Sequence, residues 1–528
     1  MNIAQVLVEQ ARSRPTQTAI VDRTRRVTFS ELERLSAGAA RELTSAGLSR
    51  GDRALLFCPI SAQLYVVLIG VFRLGATAVI VDPSAGRAIL DRCCRRVAPR
   101  AFIGVPLAHV LRLLSPAVRA IPMAFAIGRG WPGVRGIGRD ADAGGWKDIE
   151  TPDGDAPALI TFTSGSTGEP KAVVRTHDFL LAQHRALVDS LHLRAGQIDL
   201  ATLPVFVLAN LASGVTSVIA DADLRAPGAI DPVPVIRQIQ RERPTRTVAS
   251  PALLLRLAAH ARAVDTPLDS FEHLFTGGAP VFARTLDALH AAAPRADVEA
   301  VYGSTEAEPI AHLRHESLTA DDRAAMRAGA GLLAGRVVPG IELRIVPDRW
   351  GQPIGPFERS SFETSARPTG QAGEIVVSGA HVLRGYLDGR GDADTKFRVD
   401  GDVWHRTGDA GYLDRSGRLW LLGRCAARLD DDAGSLYPFA VECAAMEWPW
   451  VARAALAGHA GRRLLAVELD ARAPMDATGA LREALEWASL SDIVPVERIP
   501  LDARHNAKVD YTKLRAVIDR RRGARLES

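Results

Sequence analysis

The sequence predicts an α/β protein with a large N-terminal unit, a β-rich segment within that unit, and a small α/β unit at the C-terminus. Strand-like and helix-like segments alternate as far as about residue 310, which is typical of parallel strands joined by helical crossovers. From residue 373 the pattern changes to short strands separated by turns. At 528 residues the chain is too long for one hydrophobic core, because single cores stop growing beyond about 250–300 residues.

The individual elements follow from local periodicity and from turn residues. An amphipathic pattern predicts a helix over residues 31–48. The most apolar stretch, residues 64–81, is interrupted by Arg73 and Gly75, and it indicates a buried helix followed by a buried strand instead of a membrane span. The other predicted elements are strands over residues 53–57, 158–162, 374–378, 403–406 and 418–422, and helices over residues 178–191 and 513–521.

Composition favours an ordinary globular protein over several other classes of protein. Hydrophobic residues make up 47% of the chain and the formal net charge is +4, so the chain is not of the disordered type. The Arg-rich patches at residues 23–26 and 520–522 lack aromatic neighbours, which argues against a nucleic-acid interface. Five cysteines without metal-ligand spacing, two of them adjacent, argue against a disulfide framework. The N-terminus lacks a secretory pattern, so a cytoplasmic location is expected.

Lysine is scarce in this chain. Only five of the 65 Lys and Arg residues are lysines: Lys147, Lys171, Lys396, Lys508 and Lys513. A Lys ammonium is a compact point charge on a flexible stem, whereas an Arg guanidinium is a planar fork. A lysine in such an Arg-rich chain is therefore a candidate for a role that Arg cannot perform, such as following a phosphate through a conformational change. Lys171 and Lys508 lie in the two most recognisable motifs.

A strand, a loop and a helix surround Lys171. The strand over residues 158–162 leads into a run of small and hydroxyl-bearing residues that ends at Pro170 and Lys171, namely Thr163, Ser164, Gly165, Ser166, Thr167, Gly168 and Glu169. Glycines allow the backbone to approach a polyphosphate, and N–H groups and hydroxyls supply donors. Ala172 follows Lys171, so the run lacks the Gly-Lys-Ser/Thr ending of a Walker loop.

This run resembles the phosphate loop of the adenylate-forming superfamily, which includes acyl-CoA synthetases, adenylation domains and luciferases. Five further motifs resemble that superfamily and occur in its order: Gly277-Gly278-Ala279-Pro280, Tyr302-Gly303-Ser304-Thr305-Glu306, Arg406-Thr407-Gly408-Asp409, Gly423-Arg424 and Lys508. The resemblance implies in turn an adenine pocket, an aromatic ring on adenine with a Glu that helps to hold Mg²⁺, an Asp on the ribose hydroxyls, the entrance to a mobile C-terminal domain, and a Lys on the reacting carboxylate and phosphate.

The resemblance also implies the organisation of the chain and its site. An N-terminal adenylate-forming domain would span residues 1–423, and a small mobile C-terminal domain residues 424–528. ATP and Mg²⁺ would be the cofactors, with Glu306 as the metal ligand. Lys508, Lys171 and Glu306 would be the catalytic residues. The implied nucleotide-binding residues are Thr163, Ser164, Gly165, Ser166, Thr167, Gly168, Gly277, Gly278, Ala279, Tyr302, Gly303, Thr305, Asp409 and Arg424.

Several stretches resemble a narrower group, the β-lactone synthetases of long-chain olefin biosynthesis. They are residues 101–106, 199–206, 216–221, 434–437 and 504–508. The resemblance implies that ATP converts a 2-alkyl-3-hydroxy fatty acid into an acyl-adenylate, and that the 3-hydroxyl then closes a β-lactone with release of AMP and pyrophosphate. A small-molecule hydroxy acid is the expected partner, and assembly with other pathway enzymes is a further possibility; no nucleic acid and no membrane span are expected.

The sequence departs from the superfamily pattern at two places, and two questions stay open, the role of His177 and the choice of function. Ala172 replaces the usual Gly after the loop Lys, and Cys425-Ala426-Ala427 replaces the usual charged hinge residue after Arg424. His177 has two interpretations, a gate of the acyl site or a structural histidine. The alternative functions are an acyl-CoA synthetase or other acyl-adenylate-forming ligase, and a catalytically silent binding subunit.

Overall fold

The computed structural model describes residues 1–82, 86–128, 130–138, 148–164, 170–459, 461–501 and 509–526. The helices of these residues are α1 (Ile3–Ser13), α2 (Phe29–Ser45), α3 (Ala62–Arg73), α4 (Arg87–Val97), α5 (Leu111–Leu114), α6 (Pro116–Arg119), α7 (His177–Leu191), α8 (Pro204–Ala212), α9 (Pro232–Glu242), α10 (Pro251–Ala263), α11 (Ala283–Ala292), α12 (Ala320–Arg327), α13 (Arg359–Ser365), α14 (Asp392–Thr395), α15 (Pro438–Met446), α16 (Ala477–Ala484) and α17 (Tyr511–Leu526).

The strands of the described residues are β1 (Thr18–Val21), β2 (Arg26–Thr28), β3 (Arg53–Phe57), β4 (Thr77–Ile80), β5 (Ala101–Gly104), β6 (Met123–Ile127), β7 (Arg135–Ile137), β8 (Pro157–Ser164), β9 (Pro170–Thr176), β10 (Ile198–Ala201), β11 (Thr216–Ile219), β12 (Arg246–Ala249), β13 (His273–Gly277), β14 (Asp297–Ser304), β15 (Ala307–Arg314), β16 (Leu332–Val337), β17 (Ile341–Val346), β18 (Gly373–Gly379), β19 (Lys396–Val399), β20 (Asp402–Leu413), β21 (Arg418–Arg424), β22 (Leu429–Asp431), β23 (Gly434–Leu436), β24 (Val451–His459), β25 (Arg462–Leu469) and β26 (Asp492–Pro495).

The largest sheet contains 14 strands among the described residues, in the order β17-β18-β20-β21-β16-β15-β14-β13-β12-β10-β11-β1-β2, with β19 paired to β20. In one half of this sheet, β10 to β14 pair in parallel and are joined by helical crossovers. The other half, from β14 to β21, is antiparallel. Antiparallel pairing therefore begins at β15, earlier in the chain than residue 373, where the sequence predicted the change to short strands and turns.

A second sheet has the order β7-β6-β5-β3-β4-β8-β9. The strands from β3 to β8 pair in parallel, and β8 and β9 form an antiparallel hairpin at the edge. One hydrophobic core joins the two large sheets through α2 and α3, with Ile20, Leu35, Leu56 and Val67 among its buried side chains.

The predicted elements are present with shifted ends. Helix α2 begins at Phe29 because Thr28 and Glu31 form a capping box, in which each side chain accepts from the other residue's backbone N–H. The apolar stretch is α3 followed by β4, and the Arg73 guanidinium inside it is buried and donates to Glu33 at 3.2 Å. Among the described residues, no helix combines the length and apolar character needed to cross a membrane. All five cysteines are free thiols.

The C-terminal part builds a separate three-stranded sheet from β24, β25 and β26. Its core contains Val441, Leu456, Leu465, Leu481 and Ile493. The last strand of the largest sheet, β21, ends at Arg424, which is the residue at which the sequence predicted the second domain to begin. The division into residues 1–423 and 424–528 itself stays a prediction.

Candidate active site

The β8–β9 hairpin carries the predicted phosphate loop. Thr163 and Lys171 face each other across the hairpin, and Lys171 is the second residue of β9. Residues 165–169 and the side chain of Ser164 lie outside the described part of the chain. The Lys171 Nζ lies 5.3 Å from the centroid of the Tyr386 ring. Gly391, with φ of +101°, makes room for the lysine, since a Cβ there would lie 3.0 Å from the Lys171 Cε.

The predicted metal ligand, Glu306, lies in the tight turn between β14 and β15. Its Oε1 accepts a hydrogen bond of 2.8 Å from the Tyr386 hydroxyl, and its backbone carbonyl accepts from the Leu383 N–H at 2.7 Å. Burial, and to a lesser degree Glu306, raises the pKa of Tyr386 well above its usual value, so the phenol stays a donor. The segment from Leu383 to Tyr386 therefore holds both the backbone and the carboxylate of Glu306.

Tyr302 and the predicted ribose ligand Asp409 are in direct contact. The Tyr302 hydroxyl donates to Asp409 Oδ2 at 2.8 Å, and the Arg424 Nε lies 3.2 Å from Asp409 Oδ1. Asp409 and Arg424 are also partners across β20 and β21. Burial, followed by Asp409, raises the pKa of Tyr302 well above its usual value. The carboxylate is thus held from both sides and keeps further lone pairs that can accept hydrogen bonds.

The glycine motif follows β13, next to β14. Gly277 pairs with Val301 in parallel register, and a Cβ at Gly277 would lie 2.5 Å from the Val301 carbonyl oxygen. Gly278 has φ of +78°, and Ala279 follows it. The chain therefore passes close to the backbone of β14, next to the residue that precedes Tyr302. Gly303, on β14, would place a Cβ 3.0 Å from the Ala307 carbonyl oxygen.

A buried ion pair supports the strand of Asp409. Arg406 and Glu374 are both almost fully buried, and the Arg406 Nη2 donates to Glu374 Oε2 at 2.6 Å. The Arg406 Nε also donates to Glu374 Oε1 at 3.0 Å, while Nη1 and Nη2 donate to the backbone carbonyls of Gln352 and Arg349 at 2.6 and 3.1 Å. Breaking a buried pair by removing one partner typically costs about 3–5 kcal/mol, so Arg406 stabilises the strand that carries Asp409.

Three residues of the site did not follow from sequence analysis. Arg175 is buried on β9 and donates to the Thr161 hydroxyl at 2.7 Å and to the Thr305 carbonyl at 3.2 Å, which ties the phosphate-loop hairpin to the turn of Glu306. Tyr386 gave no usable signal in the sequence. Lys396 gave one, since it is among the five lysines of an Arg-rich chain, and its Nζ lies 5.7 Å from the centroid of the Tyr386 ring.

Two predicted residues are not part of the described cluster. Lys508 lies outside the described residues, so its place beside the phosphate stays a prediction. His177 is fully buried; its Nδ1 accepts from the Ile3 N–H at 3.3 Å, and its ring packs edge-on against Phe72. Burial lowers the pKa of His177 to about 4, so the ring is neutral. These contacts favour the structural interpretation of His177 over the gate.

We expect Tyr302→Phe to weaken ATP binding about fivefold, a part of the ~1.5–3 kcal/mol that a hydrogen bond to a charged group contributes. The ring remains for stacking, but the Asp409 carboxylate loses the donor that holds Oδ2. Isothermal titration with ATP measures the change. An unchanged affinity would mean that Arg424 alone orients the carboxylate.

Residues 7–387 match the family described as AMP-binding enzyme. The chain belongs to this family. It is 36% identical to the olefin beta-lactone synthetase of Stenotrophomonas maltophilia (strain K279a) over 97% of both chains. It is 34% identical to the enzyme of that name from Xanthomonas campestris pv. campestris, over 97% of this chain and 96% of the relative. Among solved structures, the amide bond synthetase McbA from Marinactinospora thermotolerans superposes with a TM-score of 0.80 at 24% identity, covering 97% of this chain and 98% of that one.

These matches confirm the resemblance to the adenylate-forming superfamily and the predicted α/β fold with its large sheet. They also confirm the class of enzyme: an ATP-dependent, AMP-forming, ligase-like enzyme. The alternative that the chain is a catalytically silent binding subunit is therefore disfavoured.

Proposed function

We propose that this chain activates a 2-alkyl-3-hydroxy fatty acid as its acyl-adenylate and then closes it to a β-lactone. In the first step a carboxylate oxygen bonds to the α-phosphorus of ATP, the bond to the β-phosphate bridge breaks, and pyrophosphate leaves. In the second step the 3-hydroxyl oxygen bonds to the activated carbonyl carbon. The hydroxyl proton passes to solvent, the bond to the phosphate oxygen breaks, and AMP leaves.

The observation that supports this proposal best is the near-complete overlap, at 36% and 34% identity, with two relatives named olefin beta-lactone synthetase. A second observation points the same way. The turn Cys425–Ala427 after β21 carries no charged side chain, and Arg428 beyond it binds Asp348 at 2.9 Å. The hinge residue typical of enzymes that rotate a domain to admit CoA is therefore absent, as suits a ligase with an internal nucleophile.

The site residues have compatible roles in the first step. Both ATP and a carboxylate are anionic, so the positive charges of Lys171 and Lys508 would offset their repulsion and stabilise charge in the transition state. Asp409, Tyr302 and Arg424 would hold the nucleoside, which positions the α-phosphate. Thr163, Gly277, Gly278, Ala279, Gly303 and Thr305 would line the nucleotide site, together with the loop residues Ser164 to Gly168.

Glu306 fits the role of a Mg²⁺ ligand. Within the described ranges, no group of three or more His, Cys, Asp or Glu side chains could hold a metal ion alone. Mg²⁺ is commonly bound by one or two carboxylates together with substrate phosphates and water, so a single carboxylate suffices. One Glu306 oxygen accepts from Tyr386, which orients the carboxylate. When bound, the metal would neutralise phosphate charge.

Tethering explains why the second step needs no thiol. The hydroxyl and the activated carbonyl belong to one molecule, and intramolecular geometry can supply up to roughly 7–11 kcal/mol relative to a bimolecular attack. That contribution offsets part of the strain of a four-membered ring. The alternative, transfer of the acyl group to CoA, shares the first step and differs only in the nucleophile.

The decisive experiment compares two acids with and without CoA. The protein is incubated with ATP, Mg²⁺ and either a racemic 2-alkyl-3-hydroxy acid or the same acid without its 3-hydroxyl, and products are analysed by mass spectrometry. We expect the hydroxy acid alone to give a CoA-independent product lighter by one water, with the carbonyl infrared absorption of a β-lactone and not of an unsaturated acid. The acid without the 3-hydroxyl should support pyrophosphate exchange but should not give this product. A thioester formed only with CoA would contradict the proposal.

A further inference from the structure

Two of the chain's five lysines lie against one aromatic ring. The Nζ of Lys171 is 5.3 Å and that of Lys396 is 5.7 Å from the centroid of Tyr386. Lys171 lies on β9, in the hairpin at the edge of the second sheet. Lys396 is the first residue of β19, at the edge of the largest sheet. Two separate sheets thus deliver ammonium groups to the same ring, whose hydroxyl binds Glu306.

The surroundings of Lys396 leave its charge only partly compensated. Its Nζ donates to the Leu383 backbone carbonyl. The nearby carboxylates already accept from Tyr386: Asp392 from the backbone N–H at 2.9 Å and Glu306 from the hydroxyl. Burial, with a further contribution from Lys171, lowers the pKa of Lys396 to about 7, against the opposing influence of Glu306 and Asp392. The two ammonium groups repel each other, and a polyanion in contact with both would relieve that repulsion.

We propose that Lys396 is a second phosphate-binding residue, which together with Lys171 binds the β- and γ-phosphates of ATP and the departing pyrophosphate. Lys171 closes the phosphate-loop run, so the shared ring places Lys396 at the phosphate end of the nucleotide. Tyr386 spaces the two cations and holds Glu306 beside them. The inference requires only that the enzyme uses ATP, and it is independent of which acid is activated and of whether a lactone forms.

A purely structural role is the competing interpretation, since the bond from Lys396 to Leu383 also braces the segment that holds Glu306. The two roles differ in their dependence on ligand length. Loss of a phosphate-binding charge weakens ligands that carry the β-phosphate and spares AMP. Loss of a brace at Glu306 disturbs the whole nucleotide site, so ATP and AMP weaken together.

The test measures binding of ATP, pyrophosphate and AMP to the full chain by titration calorimetry without any acid. We expect Lys396→Met to weaken ATP and pyrophosphate about tenfold, as for the loss of one charge-assisted contact, and to leave AMP unchanged. The matched control is Lys513→Met, which removes an exposed lysine of α17 that pairs with Asp510. The control should leave all three affinities at wild-type values. Equal weakening of ATP and AMP, or unchanged ATP affinity, would overturn the proposal.

A measurement on the wild-type protein covers the case in which Lys396→Met does not fold. Lysines are trace-acetylated near neutral pH and quantified by peptide mass spectrometry with no ligand, with pyrophosphate or with adenosine. Pyrophosphate should reduce acetylation of Lys396 severalfold, adenosine should not, and Lys513 should react equally throughout. Lack of protection by pyrophosphate would refute phosphate binding at Lys396. Because no acid is present in either test, neither outcome depends on lactone formation.

Discussion

Lys508→Ala is expected to lower the rate of adenylate formation roughly 10²–10³-fold, the range seen when one preorganised transition-state contact is removed. The superfamily resemblance implies that this lysine would contact the reacting carboxylate and phosphate, where charge is redistributed as the new bond forms. An interaction made mainly in the transition state affects the rate far more than ground-state binding. ATP affinity should therefore stay within a few-fold of wild type.

The measurement for Lys508 is acid-dependent exchange of labelled pyrophosphate into ATP, accompanied by calorimetric titration of ATP. Lys513→Ala is the matched control, because Lys513 is five residues away and its exposed ammonium pairs with Asp510 at 3.0 Å. The control should exchange at the wild-type rate. Normal exchange in Lys508→Ala would remove this lysine from the reaction, and a large loss of ATP affinity would make it a binding residue instead.

Asp409→Ala is expected to weaken ATP binding roughly 100-fold, because two hydrogen bonds from ribose hydroxyls to a carboxylate contribute about 3 kcal/mol together. The variant also leaves Arg424 and the Tyr302 hydroxyl without their shared acceptor. A thermal unfolding curve shows whether that loss destabilises the protein. Asp409→Asn is the comparison variant, because it preserves the shape of the side chain while removing its charge.

A comparison of nucleotides isolates the ribose contact of Asp409. The wild-type enzyme should bind ATP much more tightly than 2′,3′-dideoxy-ATP, and Asp409→Ala should bind the two nucleotides almost equally. Any general damage to the site would weaken both nucleotides and preserve their ratio. If the variant still prefers ATP by the wild-type factor, the ribose hydroxyls are recognised elsewhere.

Local motifs were predicted well where neighbouring residues determine the structure. The strand before the phosphate loop and the helix predicted over residues 178–191, which begins at His177, depend on residues close in sequence. Arg175 and Tyr386 were missed because their partners are distant: Arg175 binds a carbonyl 130 residues away, and Tyr386 binds a carboxylate 80 residues away. A lone Arg or Tyr carries no sign of such a contact.

Lys396 lies between these two cases. The bias towards Arg marked it as unusual, but no motif surrounds it, and only its distance of 5.7 Å from the Tyr386 ring associates it with Lys171. The antiparallel pairing of β19 with β20 brings Lys396 opposite His405, four residues before Asp409. Residue type therefore identified a candidate, and strand pairing located it.

The α/β fold could be predicted from local periodicity, and the class of enzyme and the residues proposed to bind nucleotide from the resemblance that short motifs bear to a known superfamily. How these motifs meet depends on contacts between distant parts of the chain. Tyr302 and Asp409 are 107 residues apart, and their 2.8 Å hydrogen bond exists because β14 and β20 belong to one sheet in one register. Such a register is selected by the packing of whole sheets and helices, since no short segment contains enough contacts to choose it.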